Sequence, residues 1–216
     1  MAKIKILITA GPTREKLDPV RFLSNLSTGE MGYALARMAK ARQYSVTLIS
    51  GPVSLKPPSG VRFIPIESAR DLQKACATEF SKNQILIMTA AVCDFTAASF
   101  HSEKIQRTKT KQLKLRQTPD IVAGLAKRKG KRIVIGFCLE TSQWIKKGRQ
   151  KLMHKRLDGM VANYYTRQHV PFGNVRLNTA FLGPGGYIRK LYSQNKRQIA
   201  EKLLVWVESL RRSEKY

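Results

Sequence analysis

The chain has 216 residues, and its 40 Lys and Arg against 14 Asp and Glu leave a formal net charge of +26 at pH 7. An apolar share of 43% with 25% charged residues is a globular composition, and at roughly 150 residues per domain the length fits a single domain over 1–216. A disordered chain and a disulfide miniprotein are excluded, and the longest apolar run, 85–92, falls well short of the roughly 20 residues that cross a bilayer.

The elements alternate in period. Residues 5–9 (KILIT) read as a buried strand, 32–42 as a helix, and 44–50 as a second strand stopped by Gly51-Pro52. After the Pro57–Gly60 turn, 61–66 is a third strand. Ser68 caps a helix over 68–80, with Leu72, Cys76 and Phe80 four apart on one face. The run 85–92 is continuously apolar, as a strand covered on both faces should be. Residues 99–118 break the rhythm with Lys104, Arg107, Lys109, Lys111, Lys114 and Arg116. They predict a basic loop leading into a short exposed strand at the alternating Leu113 and Leu115. Pro119 then suits the first helical position of a helix over 119–127. A fifth strand (132–137), a helix (141–156) and a sixth strand (159–162) follow. A hairpin (178–182, 187–191) and a last helix (194–211), striped by Ile199, Leu203, Val207 and Leu210, complete the chain.

Such alternation predicts an α/β, Rossmann-like, doubly wound domain: a mainly parallel sheet with helices on both faces and a C-terminal hairpin. Ligands of such sheets bind at the carboxyl ends of the strands, so the loops there are where chemistry is expected. Ser27, Thr28 and Gly29, with Gly32, precede a helix and suit an anion, although the same residues also serve as a simple cap. Asp94, after the central strand, suits a cation or a ligand hydroxyl, or equally a turn. Lys147, Lys151 and Lys155 recur every four residues and share a helix face, which is either solvated or turned toward something anionic. Cys76, Cys93 and Cys138 lie in apolar surroundings with no metal spacing and read as reduced, packed thiols, in keeping with a cytoplasmic protein. His101, His154 and His169 show no metal spacing either, and Trp144 and Trp206 read as core.

Read together, the stretches ITAGPTREKLDPVRFLSNLSTGEMG, VTLISGPVSL, AAVCDF to SEKI, TPDIVAGLA, IVIGFCLET and RQKLMHKRLDGMVAN resemble the phosphopantothenoylcysteine synthetase family. The resemblance implies a stand-alone phosphopantothenate–cysteine ligase of coenzyme A biosynthesis, using CTP and Mg²⁺, with no flavin site. The carboxylate of 4′-phosphopantothenate would attack the α-phosphorus of CTP, and cysteine would then displace CMP from the acyl-cytidylate. By the same resemblance Asn25 assists conversion of the intermediate, and Arg21 meets a substrate phosphate or carboxylate. The nucleotide falls to Met88, Thr89, Ala90, Asp94, Lys104 on a flap at about 99–118, Pro119, Asp120, Ile121, Val122, Phe137, Lys151 and Lys155. Metal ligands are left unassigned, Lys147 has no role, and a homodimer is expected. Glu30, and Tyr164 after Asn163, depart from the family pattern, which favours lysine and an acidic residue there. Two rival readings are an NAD(P)-binding reductase, which the missing GxGxxG disfavours, and a basic RNA-binding module, for which only the net charge speaks. No specific nucleic acid and no membrane partner is therefore expected.

Overall fold

The computed structural model describes residues 3–107, 112–166, 170–173 and 175–213. The loop residues Lys109 and Lys111, and His169, lie outside them. Eight strands form one sheet in the order β12-β11-β10-β9-β6-β1-β4-β5. These are β1 (Lys5–Ala10), β4 (Ser45–Ser50), β5 (Arg62–Pro65), β6 (Ile85–Met88), β9 (Ile133–Glu140), β10 (Gly159–Tyr164), β11 (Leu177–Leu182) and β12 (Ile188–Gln194). The first six pair in parallel, and β11 and β12 add an antiparallel hairpin to one edge. This is the doubly wound sheet with its C-terminal hairpin that the alternation predicts.

The strand period of two sorts the core. Ile6, Ile8, Ile85, Ile87, Ile133 and Ile135 face one layer, where α1 (Glu30–Ala41) packs beside α5 (Lys196–Ser213). Leu7, Leu86, Met88 and Val134 face the other, built by α2 (Ala69–Phe80), α3 (Ile121–Ala126) and α4 (Trp144–His154). Both faces of the central strands are therefore dry, which is why their sequences run apolar without alternation. Trp206 is buried in the first layer, stacked on Phe181 at 5.3 Å, while Trp144 lies only partly buried beside the second.

Several boundaries differ from expectation, each for a local reason. The central strand stops at Met88 rather than 92, because Thr89 Oγ1 donates to the Thr9 carbonyl at 2.5 Å and Ala90 N donates to Thr9 Oγ1 at 3.1 Å. Pro119 does not open α3: Asp120 caps it, its carboxylate accepting from Ala123 N at 3.1 Å, and the helix begins at Ile121. Helix α4 begins three residues later than expected, at Trp144, after Gln143 turns through φ 47°. Strand β9 runs three residues past 137, to Glu140, bringing a carboxylate to the sheet's upper rim. Two small antiparallel pairs also form: β2 (Arg14–Lys16) with β3 (Phe22–Ser24), and β7 (Phe95–Ala97) with β8 (Leu115–Gln117). Of these only β8, the strand expected near Leu115, has a signal in the sequence.

Candidate functional site

The strand order reverses between β1 and β6: the chain moves from β1 out to β4 and β5, then returns to lay β6 on β1's other side. Loops leaving two strands with opposite windings diverge there and open a crevice at their carboxyl ends. The crevice floor is fixed by Ala91 N donating to the Gly11 carbonyl at 2.9 Å and Thr13 N donating to the Ala91 carbonyl at 3.1 Å. Gly32 lets α1 settle onto this floor. A Cβ on it would stand 2.5 Å from the Ala10 Cβ and 2.7 Å from Thr89 Oγ1, so any side chain would lift the helix.

The crevice has two lobes that share Ala90, Ala91, Phe137, Cys138, Leu139 and Phe172. The larger, of about 890 Å³, brings together Asn25, Met88, Ala90, Asp94, Pro119, Asp120, Ile121, Val122, Phe137, Lys151 and Lys155. These residues span about 130 positions of sequence, from the loop after β3 to the end of α4. The smaller, of about 190 Å³, is lined by Ser27, Thr28, Gly29 and Thr89 together with Asn163 and Lys196. Gly29 stands before α1 at φ 76°, a left-handed conformation that glycine adopts without cost.

Asn25 is exposed, and its Nδ2 donates to the Ala91 carbonyl at 3.0 Å and reaches Cys93 Sγ at 3.8 Å. The amide is thus tethered to the loop that follows the central strand. Cys93 is a packed thiol, as expected: burial raises its pKa, against a weaker lowering by Thr13, and its Sγ points to the Thr13 and Leu23 carbonyls. Cys138 is pushed up to about 11, chiefly by burial, and Cys76 to about 12 for the same reason. All three are poor nucleophiles at neutral pH.

The lysine row on α4 meets acids rather than open solvent. Glu140, at the end of β9, holds Lys151 Nζ at 2.6 Å and Lys147 Nζ at 3.5 Å, and Asp120 holds Lys155 Nζ at 2.9 Å. Burial lowers the pKa of Lys151, but the hydrogen bond and charge of Glu140 outweigh it and carry the ammonium above its ordinary value. The row is therefore a set of lysines each held by a carboxylate. Lys147 lines neither lobe.

Arg21 and Lys104 also stand outside both lobes. Asp18, fully buried, takes the Arg21 guanidinium at 2.9 Å (Nε) and 2.5 Å (Nη2), while Nη2 also donates to the Ile105 carbonyl at 2.7 Å. Burial would raise the Asp18 pKa. The guanidinium and the backbone N–H groups of Val20, Arg21 and Ile105 prevail and hold it well below the usual carboxylate range. This knot ties the basic loop, next door to Lys104, to the turn that carries Arg21.

Sequence reasoning assigned no site role to Asp18, Glu140, Asn163 or Lys196. The position of Glu140 immediately after a strand is a usable signal, since strand carboxyl ends are where ligands bind. Lys196 has none: its partner Glu30 lies on the far side of the chain. Among the described residues no three His, Cys, Asp or Glu gather as a metal cluster, and no described helix is long and apolar enough to cross a membrane.

The family model for the DNA/pantothenate metabolism flavoprotein C-terminal domain matches residues 1–210. Over 208 residues the chain is 40% identical to the coenzyme A biosynthesis bifunctional protein CoaBC of Bacillus subtilis, covering 95% of this chain and 51% of that protein. Against the Escherichia coli K12 protein of the same name it is 44% identical over 165 residues, covering 74% and 41%. The chain spans about half the length, or less, of these curated relatives. The crystal structure of the C-terminal domain of a coenzyme A biosynthesis bifunctional protein CoaBC superposes with a TM-score of 0.84 at 32% identity. That match covers 97% of this chain and 96% of the other.

Proposed function

The chain belongs to the DNA/pantothenate metabolism flavoprotein C-terminal domain family, and from that premise we propose that it is a phosphopantothenate–cysteine ligase of coenzyme A biosynthesis. A carboxylate oxygen of 4′-phosphopantothenate attacks the α-phosphorus of CTP, the bond to the β-phosphate breaks, and pyrophosphate leaves. The amine of cysteine then attacks the acyl carbon of the cytidylate. The tetrahedral oxyanion collapses, CMP departs with the bonding pair, and the amine's proton passes to solvent. No protein nucleophile is needed, because the substrate supplies one and the acyl-phosphate anhydride supplies the driving force. What the protein must give is orientation and charge stabilisation.

The observation that carries this reading is the larger lobe, where a tethered amide and two fixed cations face one crevice. Lys151 and Lys155 suit the triphosphate. The strand-end residues Met88 and Ala90, with Asp94, the 119–122 turn and Phe137, frame the nucleoside, while Thr89, expected with them, lines the smaller lobe instead. Asn25 suits the oxyanion: presenting one N–H to it costs only the long contact to Cys93 Sγ, while the other N–H keeps the Ala91 carbonyl. Ser27, Thr28 and Gly29 serve a phosphate in the smaller lobe. Lys104 is the cation carried in by the 99–118 flap, and the Asp18–Arg21 knot positions that flap, leaving Arg21 half-exposed to meet a substrate anion.

Mg²⁺ would ride largely on the triphosphate, with Asp94, among the described residues, as the cleft carboxylate not held by a lysine, which suits an ion that favours phosphates and water over protein cages. Bound there, it would neutralise charge on the departing pyrophosphate. The reaction is not a redox one and draws on no flavin. The whole chain acts as one unit, and a homodimer is supported by exposed Val20, Phe22, Leu26, Phe95 and Leu115 around the two small strand pairs. The test is a product assay. With 4′-phosphopantothenate, cysteine and Mg²⁺, the protein should release pyrophosphate and CMP from CTP, faster than the corresponding products from ATP. Turnover with neither nucleotide rejects the ligase.

A further inference from the structure

Among the described residues that line the smaller lobe, the cation is Lys196, and its situation is unusual. Its side chain is only 11% exposed, and Lys196 is the first residue of α5, where the helix's own partial positive charge opposes an ammonium. Burial and position both disfavour it, so helix stability does not explain it. Two contacts compensate. Lys196 Nζ lies 2.6 Å from Glu30 Oε2, and it donates to the Gly173 carbonyl. An ammonium has three donors, and these contacts use two. Beside the pair stand the hydroxyls of Ser27 and Thr28, the Gly29 backbone and Asn163, all lining the same small cavity. Among the described lining residues Glu30 and Lys196 are the charged pair, and each cancels the other. A phosphate dianion entering it meets a carboxylate.

We propose that Glu30 and Lys196 form a resident ion pair which the phosphate of the pantothenate substrate opens, making Lys196 a phosphate-binding residue and Glu30 the group that sets the cost of entry. The inference rests on the ligase reading for the identity of the phosphate, but not for the behaviour of the pair. Removing the carboxylate frees the cation. Removing the cation leaves a bare carboxylate facing the phosphate, and removing both leaves neither the attraction nor the repulsion of the pair. The KM for 4′-phosphopantothenate therefore orders as Glu30→Gln below wild type, wild type below the double variant, and the double variant below Lys196→Gln. Charge-assisted contacts of this kind set the scale: a rise of about tenfold or more for Lys196→Gln and a fall of about threefold for Glu30→Gln, with kcat moving less than KM. Lys196→Arg keeps the charge and should stay near wild type.

The experiment is steady-state kinetics on the full chain and these four variants, with melting temperatures recorded alongside. A merely structural pair would destabilise both single variants and raise KM in each. Glu30→Gln with an unchanged or higher KM overturns the proposal, as does Lys196→Gln with an unchanged one. If the wild type turns over no phosphopantothenate, the ligase reading fails separately. The pair is then read by calorimetry with inorganic phosphate, where the same ordering of affinities supports it and equal affinities overturn it.

Discussion

The two lobes of the crevice arrange charge differently. In the larger, two cations line the wall a helical turn apart, Lys151 held by Glu140 and Lys155 by Asp120. Asp94 and Asp120 match them in number among the described lining residues, so what the lobe offers a polyphosphate is the spacing of two ammonium groups, not a surplus of charge. In the smaller, the described lining residues carry one lysine and one glutamate, paired with each other. The wide lobe thus presents two cations side by side, whereas the narrow one presents a lysine that its carboxylate must release. Lys151 shows what such pairing does: Glu140 keeps its ammonium charged against burial, which on its own favours loss of the proton.

The severest way to break this comparison lies in the larger lobe, at Asn25, which donates to Ala91 where the lobes meet. Asn25→Asp replaces a donor by an acceptor, so the tether to the Ala91 carbonyl is lost and the oxyanion faces a negative charge. Loss of one oxyanion donor costs about 100-fold or more in kcat. Rapid-quench measurements should show the acyl-cytidylate forming near its normal rate and being consumed slowly. A variant that forms none would move Asn25 out of the second step.

Next come the α4 cations. Lys151→Gln and Lys155→Gln should each weaken CTP binding by about 10- to 100-fold, as loss of a charge-assisted contact to phosphate does. On the proposed reading both meet one triphosphate, so their effects should add less than fully. Calorimetric titration with CTP measures this directly, and unchanged affinity in either removes that lysine from the lobe.

The difference between the lobes also explains how much of each could be read from the chain. The row Lys147, Lys151, Lys155 shows itself through helical spacing, and the strand ends through the change of hydrophobic period, so the sheet was legible, whereas Asn25, the 119–122 turn, Phe137 and the site role of the lysines came only with the family resemblance. Glu140 was hidden because β9 outruns its apolar run, continuing by hydrogen bonding to β10 as far as the Tyr164–Glu140 pairing. Lys196 was hidden because its partner is set by the packing of α5 against α1, a tertiary contact with no local signature. Helix α4's late start was likewise unreadable, since Gln143 at positive φ is a conformation that glutamine rarely signals.

Glu140 offers a sharper, smaller test. In the wild type Lys151 titrates above its ordinary pKa, because Glu140 outweighs the lowering by burial. A lysine raised in the folded state contributes stability that is present below its unfolded pKa and lost as pH climbs through the folded one. Glu140→Gln leaves burial opposed only by the weaker charges of Cys138 and Asp94. The pH at which CTP affinity begins to fall should then move downward from the alkaline end, with a change of only a few-fold at neutral pH. A midpoint unmoved between the two proteins would mean that Glu140 does not govern the charge on Lys151.

Lys147 supplies the smallest effect and the control for the whole row. It shares Glu140 with Lys151, sits one helical turn away, and keeps a second contact to Ser142 Oγ at 3.1 Å, yet it lines neither lobe. If the row acted as a diffuse positive face, Lys147→Gln would weaken CTP as much as its neighbours do, and salt would erase all three effects alike. If the row acts through contact, Lys147→Gln shifts CTP affinity by less than about twofold, because Glu140 turns wholly to Lys151 and the lobe's walls are untouched. The same titrations that read Lys151→Gln and Lys155→Gln decide between these, and an effect of Lys147 equal to theirs would reduce the larger lobe to unspecific attraction.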